Sequence, residues 1–470
     1  MAARRTSFLA SQLFAPRLSS TTQVWSNQWM QKAIAFLSAL FVASVAFAQP
    51  VASRVDLGCR WSAQLTAARP GVSESYVVPF DLSIEYTPAG MRAALVNGSD
   101  RMEFSGASQR GGVVTLRLDQ YDATLTARCV SGTELNCAKS SSEKCVHPVC
   151  SALEGEYERQ RGTSVASYKV VAQCVHVRQL DSEAVPQFSA AADWQFAFKD
   201  ADGKPVSEGN VPAHFTQEAR HVEGTIAPLS GDYGMLSGKI SGGKDTSLHL
   251  SRFDGIHTLR LDGRFVSANR IEGIFQGSPG RPMNFVATRL DSSAKGFDEA
   301  EHLTTVEDPS AVFRFHGLDA DGKSVTQDDP RFAGKVVLID IFGTWCPNCH
   351  DEAPVLQSLY AKFHERGFEI AGLSYEYVDD TARSQRLLEV YRRKYAIGFP
   401  LLLAGTTEPG EIERTLPQLK NFGAYPTTIF LDRHGRVRLI HAGFSGPATG
   451  RLEEIKENFE RNVVKLLDEQ

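Results

Sequence analysis

Residues Lys335–Pro354 read KVVLIDIFGTWCPNCHDEAP, and this stretch decides the fold of the C-terminal part of the chain. Residues 335–342 form a nearly continuous apolar run, which is typical of a strand buried in the middle of a sheet. Cys346 and Cys349 follow directly after it with two residues between them. A C-x-x-C pair at the turn from a buried strand into a helix predicts a redox-active dithiol.

Helix physics explains the placement of the two cysteines. Cys346 is expected at the helix N-terminus, where unpaired N–H groups and the helix dipole favour a thiolate. Pro347 suits the first helical position, because its missing N–H would have no partner there. We therefore expect Cys346 to be an exposed nucleophile. Cys349, one turn later, is expected to attack the resulting mixed disulfide.

Strands and helices alternate around this motif. Apolar positions on one face predict a helix over residues 347–366, and a basic helix is predicted over 380–396. Further strands are expected at 368–374 and 399–403, with a hairpin over 428–441 and a closing helix over 449–467. Residues 309–470 are therefore predicted to form an α/β domain.

The block Gly343–Pro354, taken with Tyr425-Pro426-Thr427-Thr428, resembles the TlpA/ResA-like branch of the thioredoxin-fold thiol–disulfide oxidoreductases, within the wider redoxin group. The resemblance covers about residues 309–470. It implies a thioredoxin-like fold and a protein-disulfide oxidoreductase that needs no small cofactor and no metal. It also implies protein thiols and disulfides as substrates, a membrane electron donor, and more often the direction of a reductase.

The resemblance also assigns roles to individual residues. Cys346 and Cys349 match the redox pair, and Pro426 matches the proline held cis beside it. Asp340 matches the buried acid of thioredoxins, and Glu352 matches the active-site acid of the ResA-like branch. A carboxyl with a raised pKa can take the proton from a buried thiol, and either acid could serve Cys349.

Three further positions are assigned to substrate binding by the same resemblance. Trp345 is expected to cap the disulfide, and Tyr425 and Thr427 flank the proline whose backbone neighbours pair with substrate. Each of the two acids also has a non-catalytic interpretation. Asp340 could be a structural buried acid, and Glu352 could be an exposed acid of the first helical turn.

The same residues are compatible with other chemistries. A thiol peroxidase of the redoxin group is one alternative, although its usual Thr-x-x-Cys context is not reproduced at Thr344. A metal site joining Cys346, Cys349 and His441 is another. His350 could lower the pKa of a thiol or lie solvated on the helix.

Residues 33–47 read AIAFLSALFVASVAF, preceded by Lys32 and followed by the small residues of an A-x-A site ending at Ala48. This pattern predicts that residues 1–48 contain a secretory signal peptide, with Met30 as the alternative start. An uncleaved membrane anchor is the alternative fate of the segment. Export predicts a periplasmic or secreted protein in an oxidising space.

Short alternating segments separated by Asn-Gly and Asp-Gly turns fill residues 49–291. They predict an all-β region, sandwich-like or barrel-like, as two units over 49–185 and 186–291. A polar linker is predicted over 292–308. In a third functional hypothesis this β region binds a ligand and the C-terminal domain is a non-catalytic scaffold.

Six cysteines lie in the first β unit and predict three structural disulfides, with fifteen ways to pair them. They are Cys59, Cys129, Cys137, Cys145, Cys150 and Cys174. A zinc site made of Cys137, Cys145 and Cys150 with His147 is the alternative. Gly231-Asp232-Tyr233 and Arg252-Phe253-Asp254-Gly255 loosely resemble β modules found ahead of TlpA-like domains, and no chemistry is assigned to them.

Composition limits the remaining classes. The 470 residues include 42% hydrophobic and 22% charged residues, which is a globular composition. The formal net charge is −5, with 50 basic against 55 acidic residues. The whole chain therefore has no electrostatic footprint for nucleic acid, and none is expected as a partner.

Overall fold

The structure is a computed structural model that describes residues 59–69, 72–110, 112–131, 152–175, 185–206, 210–277, 281–290 and 304–469. The predicted signal peptide, residues 1–48, lies outside these ranges. Within them, no helix has both the length and the apolar character needed to cross a membrane.

The first β unit is a half-barrel of nine antiparallel strands. They are β1 (Cys59–Arg69), β2 (Val72–Thr87), β3 (Gly90–Asn97), β4 (Asp100–Glu103), β5 (Gly106–Arg110), β6 (Val113–Leu118), β7 (Ala123–Ser131), β8 (Ala152–Arg161) and β9 (Ser164–Val175). Their order across the sheet is β4-β3-β2-β1-β9-β8-β7-β6-β5. Burial alternates along the strands, as in β6, where Val114, Leu116 and Leu118 are buried. This period of two places one apolar face on a common core.

The second β unit is a closed barrel of eight antiparallel strands. They are β10 (Ala192–Lys199), β11 (Val211–Glu218), β12 (His221–Ile226), β13 (Leu236–Ser241), β14 (Ser247–Phe253), β15 (Thr258–Ser267), β16 (Arg270–Gly277) and β17 (Met283–Arg289). Each strand pairs with the next, and β17 returns to pair with β10. Closure leaves no free sheet edge, and aromatic side chains such as Trp194, Phe196 and Phe285 fill the interior.

The C-terminal domain is an α/β domain around a seven-stranded sheet. Its strands are β18 (Thr305–Val306), β19 (His316–Leu318), β20 (Ser324–Thr326), β21 (Val336–Phe342), β22 (Phe368–Glu376), β23 (Leu401–Thr406), β24 (Leu419–Lys420), β25 (Thr427–Leu431) and β26 (Val437–Ala442). Its helices are α1 (Pro347–Phe363), α2 (Thr381–Tyr395), α3 (Glu411–Thr415) and α4 (Leu452–Asp468). The main sheet has the order β20-β19-β23-β22-β21-β25-β26, and β18 pairs separately with β24.

Strand β21 lies at the centre of the site, parallel to β22 and antiparallel to β25. All seven of its residues are buried. Leu338 and Phe342 belong to the core on the α1 side, whereas Ile339 and Ile341 belong to the core on the other face. Because side chains alternate along a strand, Asp340 points to the same side as Leu338, toward the cysteines.

The predicted fold class is therefore confirmed: a thioredoxin-like α/β domain follows an all-β region. Two details differ from the sequence-based expectation. Thr305 and Val306, placed in the linker, pair with β24 of the C-terminal domain. The closing helix begins at Leu452 instead of Thr449, because Thr449 ends a short 3-10 turn over Pro447–Thr449.

Candidate active site

Both cysteines of the motif are free thiols at the start of α1. Cys346 is the N-cap residue, and its Sγ accepts a hydrogen bond from the Cys349 N–H at 3.3 Å. The same Sγ lies 3.5 Å from the carbonyl oxygen of Tyr425. The expectation of an exposed nucleophile is wrong in one respect, since Cys346 is only 4% exposed. Cys346 lines a cleft together with residues of both β units.

The loop before β25 faces the thiols. The Tyr425–Pro426 peptide bond is cis. Thr427 is fully buried and its hydroxyl donates to the Ala424 carbonyl oxygen at 2.8 Å, so its side chain does not face a partner. Trp345 packs against Tyr425, with ring centres 5.3 Å apart, and its Nε1–H donates to the Tyr375 carbonyl oxygen at 2.9 Å. Of the three predicted substrate-binding residues, only Trp345 and Tyr425 present side chains to the site.

Two buried carboxyl groups lie behind the thiols. Glu352 is 1% exposed, and its Oε1 accepts a hydrogen bond from Thr428 Oγ1 at 2.6 Å. Thr428 is also the residue of β25 that pairs with Asp340 of β21, so both acids lie next to Thr428. Among the described residues, no hydrogen-bond donor reaches the buried Oδ1 of Asp340. Glu352 is therefore not the exposed first-turn acid of the alternative interpretation.

Burial sets the protonation of this group of side chains. It raises the pKa of Glu352 to about 8. It also raises the pKa of Asp340 well above its ordinary value, and the charges of Glu352 and Cys346 add to the shift. The pKa of the Cys349 thiol is raised well above 9.0, first by burial and then by the contact with Cys346. Near neutral pH the site therefore holds its protons, and a carboxylate formed here can accept one from Cys349.

Glu376 is a buried acid that sequence reasoning missed. Its carboxylate accepts hydrogen bonds from Thr344 N at 3.0 Å and from Thr344 Oγ1 at 2.8 Å, and from Ser374 Oγ at 2.5 Å. These bonds fix the turn that carries Trp345 and Cys346 out of β21. An acid at the end of a strand that is otherwise apolar was the signal that could have revealed it.

His350 has neither of the two roles considered for it. It is buried, its Nε2 lies 2.8 Å from the Thr344 carbonyl oxygen, and its Nδ1 lies 2.8 Å from the Tyr395 hydroxyl. A carbonyl can only accept, so Nε2 carries the proton and Nδ1 accepts from the tyrosine. Burial and the nearby charge of Lys394 lower the pKa of His350 well below 6.5. The ring is therefore neutral and structural.

The barrel contributes directly to the active site through the loop between β12 and β13. Asn348, between the two cysteines, donates from Nδ2 to the carbonyl oxygen of Asp232 at 3.1 Å. The carboxylate of Asp232 accepts from the Gly446 and Gly234 N–H groups. Gly231 has φ +117°, and a Cβ there would lie 2.2 Å from Asn348 Nδ2. The Gly231-Asp232-Tyr233 stretch thus anchors the barrel to the redox motif.

A buried group of charges joins all three modules beside this loop. Arg252 of the barrel donates to Asp254 at 3.4 Å and to Asp100 of the half-barrel at 3.0 Å. Asp351 of α1 faces the same group, and burial together with the Asp232 charge raises the pKa of Asp351 to about 7. The Arg252–Gly255 stretch singled out in the sequence therefore serves the junction between modules.

The half-barrel also packs against the redox domain. Arg383 of α2 donates to Asp122 Oδ2 at 3.0 Å, to the Gly162 carbonyl at 3.0 Å and to the Gln160 carbonyl at 3.4 Å. The ring of Tyr121 meets the ring of His350 edge to face, with centres 5.1 Å apart. These contacts hold the hairpin β8–β9 beside the active site.

The three modules enclose a cleft of about 1590 Å³, and Cys346 lies in its lining. The hairpin β8–β9 forms one wall, and strands and loops of the barrel form another. The floor comes from the redox domain, where Phe422 and Tyr425 flank the cysteine. The reactive sulfur therefore faces a cavity that the β units help to build.

The part of the chain that the structure describes contains no candidate metal site. Within it, no group of three or more His, Cys, Asp or Glu residues is arranged to hold a metal ion. His441, proposed as a third ligand beside the cysteines, instead packs its ring against Phe459 with centres 5.1 Å apart.

Of the six cysteines in the first β unit, Cys129 and Cys174 are disulfide-bonded. The other cysteines Cys137, Cys145 and Cys150 lie outside the described residues, as does the side chain of Cys59. The zinc alternative with His147 also lies outside them.

The strand, the dithiol at the helix N-terminus, the cis proline and the buried acids together define a thioredoxin-fold dithiol oxidoreductase domain. Comparison with known proteins agrees with this class. Residues 309–440 match the AhpC/TSA family. Thiol-disulfide oxidoreductase ResA from Bacillus thuringiensis subsp. konkukian (strain 97-27) is 31% identical over 150 residues, which is 32% of this chain and 72% of the relative.

Thiol:disulfide interchange protein DsbE from Escherichia coli (strain K12) is 30% identical over 174 residues, covering 37% of this chain and 84% of the relative. A solved structure of a putative DsbE from Chlorobium tepidum is 22% identical, covers 35% of this chain and 99% of that chain, and has a TM-score of 0.27. The chain belongs to the family of thiol–disulfide oxidoreductases that includes ResA and DsbE. The predicted enzyme class, a thioredoxin-like protein-disulfide oxidoreductase, is confirmed.

Proposed function

We propose that this protein is an exported oxidoreductase that exchanges disulfides with protein thiols through Cys346 and Cys349, in the direction of reduction. The observation that carries the proposal is the placement of the dithiol. Cys346 caps α1 and faces a cleft, while Cys349 lies one turn deeper beside two buried carboxyl groups whose pKa values are raised. A partner can reach the first sulfur, and the second sulfur has a proton acceptor close by.

The first step forms a mixed disulfide. The Cys346 thiolate attacks one sulfur of the partner's disulfide, a new S–S bond forms, and the partner's other sulfur leaves as a thiolate. The Asn348 side chain and the Cys349 N–H hold the first turn of α1, so that Sγ of Cys346 keeps its position next to the Tyr425 carbonyl.

The second step releases the reduced partner. Cys349 must lose its proton, and its sulfur then attacks Cys346 Sγ, closing the Cys346–Cys349 disulfide and freeing the partner's second thiol. Burial opposes a free Cys349 thiolate, so transfer of its proton to whichever of Glu352 and Asp340 is ionised lowers this barrier. Two electrons pass to the partner, and a protein donor at the membrane would return them.

The electrostatics of the site support the reducing direction. Strongly oxidising dithiols owe their potential to a reduced form in which the thiolate is stabilised. Here the pKa of the Cys349 thiol is raised, and His350 beside it is neutral. The raised pKa keeps Cys349 a thiol in the reduced form, so no thiolate is stabilised at this position.

Two observations support export to a periplasmic or extracellular space. The segment before Ala48 has the charge, apolar core and A-x-A site of a signal peptide. Cys129 and Cys174 are disulfide-bonded, and disulfides persist mainly in oxidising compartments. Fractionation of cells that express the full chain tests this part, and a cytoplasmic mature protein would contradict it.

The redox potential of the Cys346–Cys349 pair tests the chemistry. The protein starting at Gln49 is equilibrated in glutathione buffers, and its trapped thiols are counted, with Cys349→Ser as control. A potential at or below about −250 mV supports a reductase, whereas a value near −120 mV identifies an oxidant. A pair that never exchanges would refute catalysis, and rapid consumption of peroxide by the reduced protein would favour a peroxidase.

Trapping experiments test the order of the two cysteines. Cys349→Ser should accumulate a mixed disulfide between Cys346 and the partner, because the second step is removed. Cys346→Ser should form none, because the remaining thiol is buried behind it. Mass spectrometry of the trapped species measures both results, and a trapped Cys346→Ser variant would reverse the assignment.

A further inference from the structure

The cleft over Cys346 is larger than a site for a small thiol requires. Its volume is about 1590 Å³, whereas pockets for drug-sized ligands measure about 300–1,000 Å³. At its floor Cys346 is 4% exposed. A disulfide lying flat on a folded surface could not reach this sulfur, and a small disulfide would leave most of the cavity unfilled.

The walls of the cleft carry large apolar side chains that face solvent. Val165 on the β8–β9 hairpin is 58% exposed, Val206 after β10 is 50% exposed, and Ile274 on β16 is 49% exposed. Single exposed apolar residues are ordinary on a protein surface. Here three of them, from both β units, converge on one cavity whose floor contains the catalytic sulfur, and this arrangement marks a binding surface.

The charges around the cleft do not favour one sign. Arg161 and Arg281 line it together with Asp200 and Asp202. A strongly acidic or basic partner would therefore meet repulsion as well as attraction. The exposed apolar side chains remain as the feature that can select a partner.

We propose that the cleft binds an extended, apolar polypeptide segment on both sides of the cysteine that Cys346 attacks. This inference rests on the proposed function and names its substrate class. An extended chain can lower its cysteine to the buried sulfur while its neighbouring side chains cover Val165, Val206 and Ile274. The β units are then substrate-binding walls of the oxidoreductase.

The walls are held firmly relative to the sulfur. The barrel wall is tied to the redox domain by Asp232, which joins Asn348 and Gly446. The hairpin wall is tied by Arg383, which holds the carbonyl oxygen of Gly162 at the hairpin tip. A preformed cleft loses little freedom when it binds a flexible chain, which favours recognition of extended segments.

The test compares disulfides that share one leaving group. The first probe is an apolar peptide of about ten residues, about 35 Å long when extended, whose central cysteine is joined to glutathione by a disulfide. The second is a peptide of equal length with alternating Lys and Asp residues, joined to glutathione in the same way. The third is glutathione disulfide. In each case Cys346 attacks one sulfur of the probe and forms a new disulfide with it, while the glutathione on the other sulfur leaves as its thiolate. We expect kcat/KM for the apolar peptide to exceed both other values by about tenfold or more.

Wall variants locate the binding surface. Val165→Asp and Ile274→Asp should each lower the ratio of kcat/KM for the apolar peptide to that for glutathione disulfide by about three- to tenfold. Val266→Asp is the matched control, since Val266 is 57% exposed on β15 and lies outside the cleft lining. Its ratio should stay at the wild-type value. Because all three positions are exposed, thermal midpoints close to wild type are expected and confirm folding.

The outcomes separate the two levels of the proposal. Equal rates for the three probes, or ratios that the wall variants leave unchanged, would overturn the substrate class while disulfide exchange stands. A charged peptide that reacts as fast as the apolar one would overturn the apolar recognition. Failure of wild type to react with any of the disulfides would overturn the proposed function and this inference together. A dimer whose formation blocks the reaction would assign the cleft to a second copy of the chain.

Discussion

Replacing Glu352 with Gln tests whether a buried carboxyl at this site stays protonated at neutral pH. The side chain is 1% exposed, and its hydrogen bond from Thr428 Oγ1 is 2.6 Å long. Burial raises the pKa of Glu352 to about 8. Gln keeps the shape of the side chain and the oxygen that accepts from Thr428, but it cannot ionise.

The expected effect is a difference in how stability depends on pH. A glutamate in the unfolded chain titrates near pH 4.3. Between that value and about 8, the folded protein therefore binds one more proton at Glu352 than the unfolded chain does. An extra proton in the folded state makes the free energy of unfolding fall as the pH rises, by about 1.4 kcal/mol per pH unit. Near the folded pKa this slope fades, and above it the loss is complete.

The variant should lack this component of the pH dependence. Between about pH 6 and pH 8, the free energy of unfolding of wild type should therefore fall by about 2 kcal/mol relative to that of Glu352→Gln. Urea unfolding of the reduced proteins across this range measures the difference. Glu365→Gln, on the exposed surface just after α1, controls for the removal of one carboxyl group. A difference between Glu352→Gln and wild type that stays constant from pH 6 to pH 8 would refute a carboxyl held protonated by burial.

Three further predictions concern contacts around the site. Arg383→Ala should lower the free energy of unfolding by about 2–3 kcal/mol, because it removes hydrogen bonds of a mostly buried guanidinium to a carboxylate and two carbonyls. Arg386→Ala removes only a half-exposed ion pair with the same carboxylate, so it should lower the free energy of unfolding by less than about 1 kcal/mol. Equal urea midpoints for the two variants would contradict this assignment. Gly231→Ala should destabilise the protein by about 1–3 kcal/mol, because φ of Gly231 is +117° and the new Cβ would clash with Asn348. A thermal midpoint equal to that of wild type would contradict this, since it would show that the loop moves away at no cost. The ring protons of His350 should not titrate between about pH 5 and pH 8 in an NMR experiment, and a midpoint near 6.5 would show that the ring is not held neutral by burial.

The fold and the dithiol of the redox domain could be predicted from local sequence. The apolar run before the motif, the proline after Cys346 and the spacing to Cys349 all act within about ten residues along the chain. A buried strand followed by an N-capped helix needs no distant partner to place the two sulfurs. The same holds for the alternating strands of the β region, which identified its all-β class but not that one unit is a half-barrel and the other a closed barrel.

The roles of other residues depend on partners that are distant along the chain, and local sequence does not determine them. Glu352 could be an exposed acid or a buried one, and only its packing against Thr428, 76 positions away, decides between them. His350 becomes neutral because Tyr395 and the half-barrel cover it. Glu376 reaches Thr344 across the sheet, and no spacing in the sequence announces that contact.

The sequence by itself determined that a dithiol lies at a strand-to-helix turn of an α/β domain, since these features follow from short-range hydrogen bonding and apolar periodicity. Only the tertiary structure decided that Cys346 is reached through a cleft built by the β units. Burial, the pKa of an acid and the shape of a cavity depend on which surfaces pack together, and here the contacts of Asp232 and Arg383 join segments more than two hundred residues apart.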